Sequence, residues 1–181
     1  SIFASEVIPY LTSLSPEDQQ VQEALAALKE WDLNTEAHSQ GAAIFESFST
    51  HLLFNTFADE LGKDLADEFL VGESLHKALI KELLADPNNH WWDNINTTEV
   101  IETRDVILGQ SLQDTNSELT EKLGKNIEQW EWGQLHTMTF VHQPFGQSGI
   151  PLIEALFNRG PYPIGGSTSL VDATNYLASS P

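Results

Sequence analysis

The stretch Gln129–Pro163, QWEWGQLHTMTFVHQPFGQSGIPLIEALFNRGPYP, is the least helix-like part of the chain and the densest in Trp, His, Gly and Pro. Leu135 to His142 alternates as a strand does. That sets His136, Met138, Phe140 and His142 on one face and Thr137, Thr139 and Val141 on the other. In a straight strand the two histidines stand roughly 20 Å apart, at about 3.3 Å per residue. They cannot share a metal at that distance, and no acid follows at ligand spacing, so no metal site is expected here. Gly146-Gln147-Ser148-Gly149 is one residue short of the G-x-S-x-G nucleophile elbow, and no strand leads into it after Pro144. It reads as a loop before a helix over Pro151–Phe157. Asn158 to Gly166 then reads as an irregular connection, its glycines permitting positive φ and its prolines fixing extended turns. Gly165-Gly166 precedes no helix with phosphate-binding spacing, so nucleotide binding has little support.

Outward from this stretch, the preceding residues read as amphipathic helices. Residues 2–7 begin one, with Pro9 limiting its extension. Ser15-Pro16-Glu17-Asp18 starts the next: Ser15 can cap, Pro16 suits the first turn, and the acids face the positive helix end. Val21, Leu25 and Leu28 give that helix its stripe, and Trp31-Asp32-Leu33-Asn34 reads as a turn. Ser39 to Leu61 is the most hydrophobic helix and the expected centre of the core, with Ile44, Phe45, Phe48, Leu52 and Phe57 on its stripe. His51, among them, reads as a hydrogen-bonded core histidine. Glu73 to Ala85 follows, with Leu75, Leu79 and Leu83 in line and Ile80 and Leu84 beside them. His90-Trp91-Trp92 reads as loop aromatics packed on the core. Asn96-Thr97-Thr98 fits a glycosylation acceptor but reads mainly as the cap of a helix from Thr98 to Leu123, ended by Gly124.

Composition narrows the function classes. The chain of 181 residues suits one domain or one lobe of a larger one, and its 40% apolar content suffices for a core. Eight Lys and Arg against 27 Asp and Glu give a net charge of −19, which leaves no basic surface to neutralise nucleic-acid or lipid phosphate. The absence of cysteine excludes thiol nucleophiles and disulfides. No apolar run approaches the ~20 residues that span a bilayer. Carboxylates are many but scattered, and no pair is marked as general acid and base.

Two segments carry a family resemblance. Trp132-Gly133-Gln134-Leu135-His136 with Phe140 and His142 matches the pattern W-G-x-L-H-x-x-x-F-x-H. Phe157-Asn158-Arg159-Gly160-Pro161-Tyr162-Pro163-Ile164-Gly165-Gly166 matches an F-N-x-G-P-x-P-x-G-G segment, with Val171 to Tyr176 as its continuation. In order and spacing these resemble the penicillin acylase family of N-terminal nucleophile hydrolases, and the preceding helices resemble the helical part of that family's β chain. The resemblance implies a mainly α chain with a few short strands, the helical portion of an αββα sandwich. Residues 1–126 would form the helical region, and 127–181 a strand and loop segment carrying both motifs.

The same resemblance implies an acyl amide hydrolase, exported to the periplasm or outside the cell and cut autocatalytically from a precursor. The freed N-terminal Ser, Cys or Thr attacks the amide with its own α-amine as base, and backbone amides with an Asn side chain hold the oxyanion. Ser1-Ile2-Phe3-Ala4-Ser5 does not resemble a β-chain start. The expectation is therefore that the nucleophile, the oxyanion-hole Asn and an active-site Arg lie upstream, that no catalytic residue falls in this chain, and that the chain alone is inactive. The partners implied are the rest of the parent α and β chains and a small acyl amide, of β-lactam side-chain or acyl-homoserine lactone type. No cofactor is expected here, although calcium is common in the family. Trp132, Gly133, His136, Phe140, His142, Phe157, Asn158, Gly160, Pro161, Pro163, Gly165 and Gly166 are expected to be structural, the histidines packing a strand. The competing reading is a non-catalytic acidic helical module that binds a protein or peptide.

Overall fold

A computed structural model describes residues 2–62, 64–66 and 74–167, with the backbone alone at 74–76. Ser1, the side chain of Leu75 and the continuation Val171–Tyr176 lie outside the described residues. The described residues are mainly helical, with one small antiparallel sheet. Its helices are α1 (Ile2–Leu11), α2 (Gln19–Glu30), α3 (Gln40–Leu61), α4 (Ser74–Leu84), α5 (Arg104–Leu123), the single turn α6 (Trp132–Leu135) and α7 (Pro151–Phe157). Strands β1 (Thr137–Phe140) and β2 (Arg159–Pro163) pair with each other.

The core forms around α3. Ser39 caps this helix by accepting from the Ala42 N–H, and Gly62 closes it at φ 75°. Its first half is buried on nearly every side, from Gly41 to Ser49, because α2, α4, α5 and α6 all pack on this helix. Phe45 and Phe48 are fully buried and lie 6.1 Å apart, while Phe3 of α1 meets Phe45 edge-on at 5.8 Å. Each such ring contributes about 1.5–3 kcal/mol on leaving water. As the sequence reading expects, His51 is hydrogen-bonded in the core, its Nε2 lying 3.0 Å from Glu118 on α5. Trp92 is buried beneath a 3₁₀ turn at His90–Trp92, with its ring N–H on the Asp86 carbonyl.

Several boundaries differ from the sequence expectation, each for a local reason. Helix α1 runs through Pro9 to Leu11. The proline faces solvent while the buried stripe Phe3, Val7 and Leu11 continues across it, so the missing hydrogen bond falls on the wet side. Helix α2 starts at Gln19, not Pro16, because the Asp18 carboxylate takes the capping bond from the Val21 N–H. On α4, Ile80 and Leu84 are the buried pair, whereas Leu79 is 44% exposed. Helix α5 begins at Arg104, six residues after Thr98. Residues 93–102 are instead held by side chains: Asp59 accepts from Ile95 N–H, Glu102 from Asn94 N–H, and Asp93 from Glu102 N–H. Ile101, in this pre-helical segment, is 81% exposed.

The strand region differs most. Leu135 ends helix α6, and β1 starts only at Thr137. His136 is buried against the Trp132 ring at 4.8 Å, while His142 lies beyond β1 and is exposed, so the two histidines do not share a strand face. Arg159 to Pro163, expected as irregular, is strand β2. Prolines are tolerated there because β2 is an edge strand.

Candidate functional site: a clasp and its arm

Both motif segments converge on one loop, residues 35–39 between α2 and α3. The Gly133 N–H donates to the Ala37 carbonyl at 2.6 Å and the Trp132 N–H to the Ser39 carbonyl at 3.2 Å. From the second motif, the Gly166 N–H donates to the Thr35 carbonyl at 2.8 Å. The motifs also hold each other: the Trp132 ring N–H donates to the Gly166 carbonyl at 2.8 Å, and the Ile164 N–H to the His136 carbonyl at 3.0 Å. This close approach explains two glycines. A Cβ on Gly133 would stand 2.7 Å from Pro163 Cβ and 2.9 Å from Ala37 Cβ, and one on Gly165 would stand 2.7 Å from the Thr35 carbonyl oxygen. Neither backbone can retreat without breaking the bonds just named.

The loop they grip is fixed at its start. Trp31 donates through its ring to the Asn34 carbonyl. Asp32 accepts from both the backbone and the side chain of Asn34, and those bonds hold its carboxyl below the usual range. Leu33 takes the left-handed conformation, φ 65°, to close the turn. Gly41 leaves room for Trp31, since a Cβ there would fall 2.2 Å from the indole Cγ.

Beyond the clasp the chain forms an arm of β1, β2 and α7. Phe140, His142 and Phe157 of the motifs lie on it, with Asn158, Gly160, Pro161 and Pro163. Every residue of both strands is exposed. His142 stacks on Phe145 at 5.6 Å and lies 5.2 Å from Phe157, which is 4.9 Å from Phe145. Asn158 locks this tip: its Oδ1 accepts from the His142 N–H and its Nδ2 donates to the Gly146 carbonyl. Helix α7 is capped at its carboxyl end by Arg159, whose guanidinium donates to the carbonyls of Leu156 and Asn158. Ser148 accepts from the Ile150 N–H, a turn contact.

The arm is neutral and apolar on an acidic body. Phe140 is 61% exposed, Leu152 82% and Leu156 66%, and Met138, Val141, Phe145, Ile150 and Tyr162 are exposed beside them. From Thr137 to Ser167 the only acid is Glu154 and the only Lys or Arg is Arg159. Exposed apolar side chains are thus concentrated on the arm. What this assembly does is hold backbone in place.

Two titratable clusters lie elsewhere. Ser47 and His51, one turn apart on α3, and Lys122 on α5 all bond the Glu118 carboxylate. Burial pushes that carboxyl up, but the bonds from His51, Lys122 and Ser47 outweigh it and bring it down to about 2. At the other end of α3, burial, a bond with Asp59 and the charges of Asp59 and Asp93 push the Glu60 carboxyl up to about 7. Among the described residues no three His, Asp or Glu side chains group closely enough to hold a metal ion. Among the same residues no helix is long and apolar enough to cross a membrane.

The penicillin amidase family profile matches residues 1–180, and the chain belongs to that family. Among curated relatives, the acyl-homoserine lactone acylase QuiP of Pseudomonas aeruginosa is 28% identical over 176 residues, covering 89% of this chain and 21% of that protein. QuiP of Pseudomonas putida is 31% identical over 119 residues, covering 64% of this chain and 14% of that protein. QuiP of Pseudomonas syringae pv. syringae is 27% identical over 163 residues, covering 86% and 19%. The chain thus spans about a fifth of the length of the curated relatives it matches.

Proposed function

We propose that this chain is the helical portion of an N-terminal nucleophile hydrolase that cleaves acyl amides, with acyl-homoserine lactones the favoured substrates. The observation that carries the reading is the family match across residues 1–180, together with relatives named as acyl-homoserine lactone acylases. In this reaction water is added across the amide: the acyl carbon passes to the nucleophile's oxygen or sulfur, the amine leaves with a proton, and water releases the acid. The described residues supply no part of that relay. Their task is to present the arm to an αββα sandwich built by the remainder of the polypeptide, in the periplasm or outside the cell.

The apolar arm favours this reading over a free-standing acidic binding module, because two of its exposed rings, Phe140 and Phe157, are motif residues. The test is hydrolysis of N-acyl-homoserine lactones by the complete protein containing this chain. Release of homoserine lactone and fatty acid in equal amounts is expected. Intact substrate after incubation with correctly processed, folded protein would overturn the substrate class. Cleavage of a penicillin side chain instead would keep the reaction and move the substrate.

A further inference from the structure

We infer that the outer edge of β1 receives an extended strand from the remainder of the same hydrolase, which continues the two-stranded sheet. This rests on the proposed function for the identity of the partner and on backbone geometry for the place.

The Ile164 N–H reaches the His136 carbonyl, so position 164 of the second segment and position 136 of the first turn their backbone groups toward each other. Backbone direction alternates along a strand. With Met138 opposite Tyr162 and Thr137 opposite Pro163, the inward positions are 138 and 162, and the outward ones are 137, 139, 161 and 163. On β2 the outward positions 161 and 163 are both proline, with no N–H to give. That edge is closed to a further strand. On β1 the outward positions are Thr137 and Thr139, each with a donor and an acceptor. The irregular register between Met138 and Phe140 sets one β1 residue against two on β2, so alternation along β1 persists to Phe140. Among the described residues nothing caps the outward groups of these two threonines.

The faces state the occupant's chemistry. Met138, Phe140 and Tyr162 crowd one face, with Phe140 and Tyr162 6.2 Å apart, and Thr137 and Thr139 line the other. The incoming strand would therefore alternate apolar residues beside Met138 and Phe140 with small polar ones beside the threonines. Its source is set by two facts. Four-fifths of the length of the related acylases lies outside this chain, and a lone two-stranded ribbon is marginal in water. Charge agrees, since the arm is near neutral while the helical body would repel acidic partners.

The test is residue-resolved hydrogen exchange on the complete, processed protein. The amides of Thr137 and Thr139 are expected to exchange at least about 100-fold more slowly than those of an open loop. Thr139→Pro removes the outward donor and is expected to abolish that protection at Thr137, whereas Thr139→Val, which keeps the N–H, preserves it. Exchange of both amides at the open-loop rate overturns the inference, even in a protein that hydrolyses its substrate. Protection that appears only as protein concentration rises assigns the edge to a second copy and also overturns it. Concentration-independent protection in a protein inactive on acyl-homoserine lactones upholds the strand while the proposed substrate fails.

Discussion

Replacing Glu118 by Gln removes the charge at the centre of the α3–α5 contact while keeping the side chain's size. In the native chain this carboxylate accepts from Ser47 and Lys122 and faces His51 Nε2 at 3.0 Å. A fall from 4.5 to about 2 corresponds to about 3 kcal/mol of preferential stabilisation of the ionised form. The sign follows from proton counts. Between about 2 and 4.5 the unfolded chain binds the proton that the folded chain refuses, so stability falls with falling pH there. The contribution is complete above pH 4.5 and lost as pH drops through about 2. Urea unfolding of wild type and Glu118→Gln at a series of pH values isolates it, because the other acids cancel in the difference. The expected difference is about 3 kcal/mol at pH 7, shrinking steadily below pH 4.5. A difference under about 1 kcal/mol, or one that stays flat from pH 6 to pH 2.5, would refute the reasoning, since an exposed pair contributes no more than that.

Further consequences follow from other named contacts. Glu60, raised to about 7 by burial and its acidic neighbours, costs stability when ionised, and this cost grows as pH rises from 4.5 through 7. Glu60→Gln should therefore raise the urea midpoint at pH 8 and leave it nearly unchanged at pH 4.5. Gly133→Ala drives a methyl into Pro163 and Ala37 and should cost about 1–3 kcal/mol in urea unfolding. Gly109→Ala, whose Cβ meets nothing within 4 Å, should not destabilise α5. Trp132→Phe leaves the Gly166 carbonyl without its ring N–H donor and should lose about 1–3 kcal/mol in the same assay.

How legible each element was depends on how local its causes are. Helix α3 was readable because Ser39, its cap, and the dense apolar run up to Leu61 lie in one window. The start of α5 was not. Thr98 looks like a cap, but Asp59, thirty-six residues before Ile95, takes the backbone bond that shapes the loop. Alternation from Leu135 to His142 suggested one strand. Instead, Trp132 and His136 stack four residues apart and close a helical turn, while Asn158 captures the His142 N–H from the far side of the arm. The motif residues were recognisable as a pattern, yet their meeting point was not. Gly133 and Gly165 need their small size because of Ala37 and Thr35, 96 and 130 residues away in the chain, and no periodicity records such a contact. The prolines of β2 spoke against a strand by local rules. They are compatible with one because, among the described residues, β2 lies at the sheet's edge and their missing donors face outward.

The most direct test of the account is where the nucleophile lies. Treating the complete, processed hydrolase with an electrophile that acylates or sulfonylates the catalytic residue, and mapping the modified peptide by mass spectrometry, locates it. The account places the adduct on an N-terminal Ser, Thr or Cys outside residues 1–181, in step with loss of amide hydrolysis. An adduct on Ser148 or Ser1 of this chain, again in step with loss of activity, would contradict it.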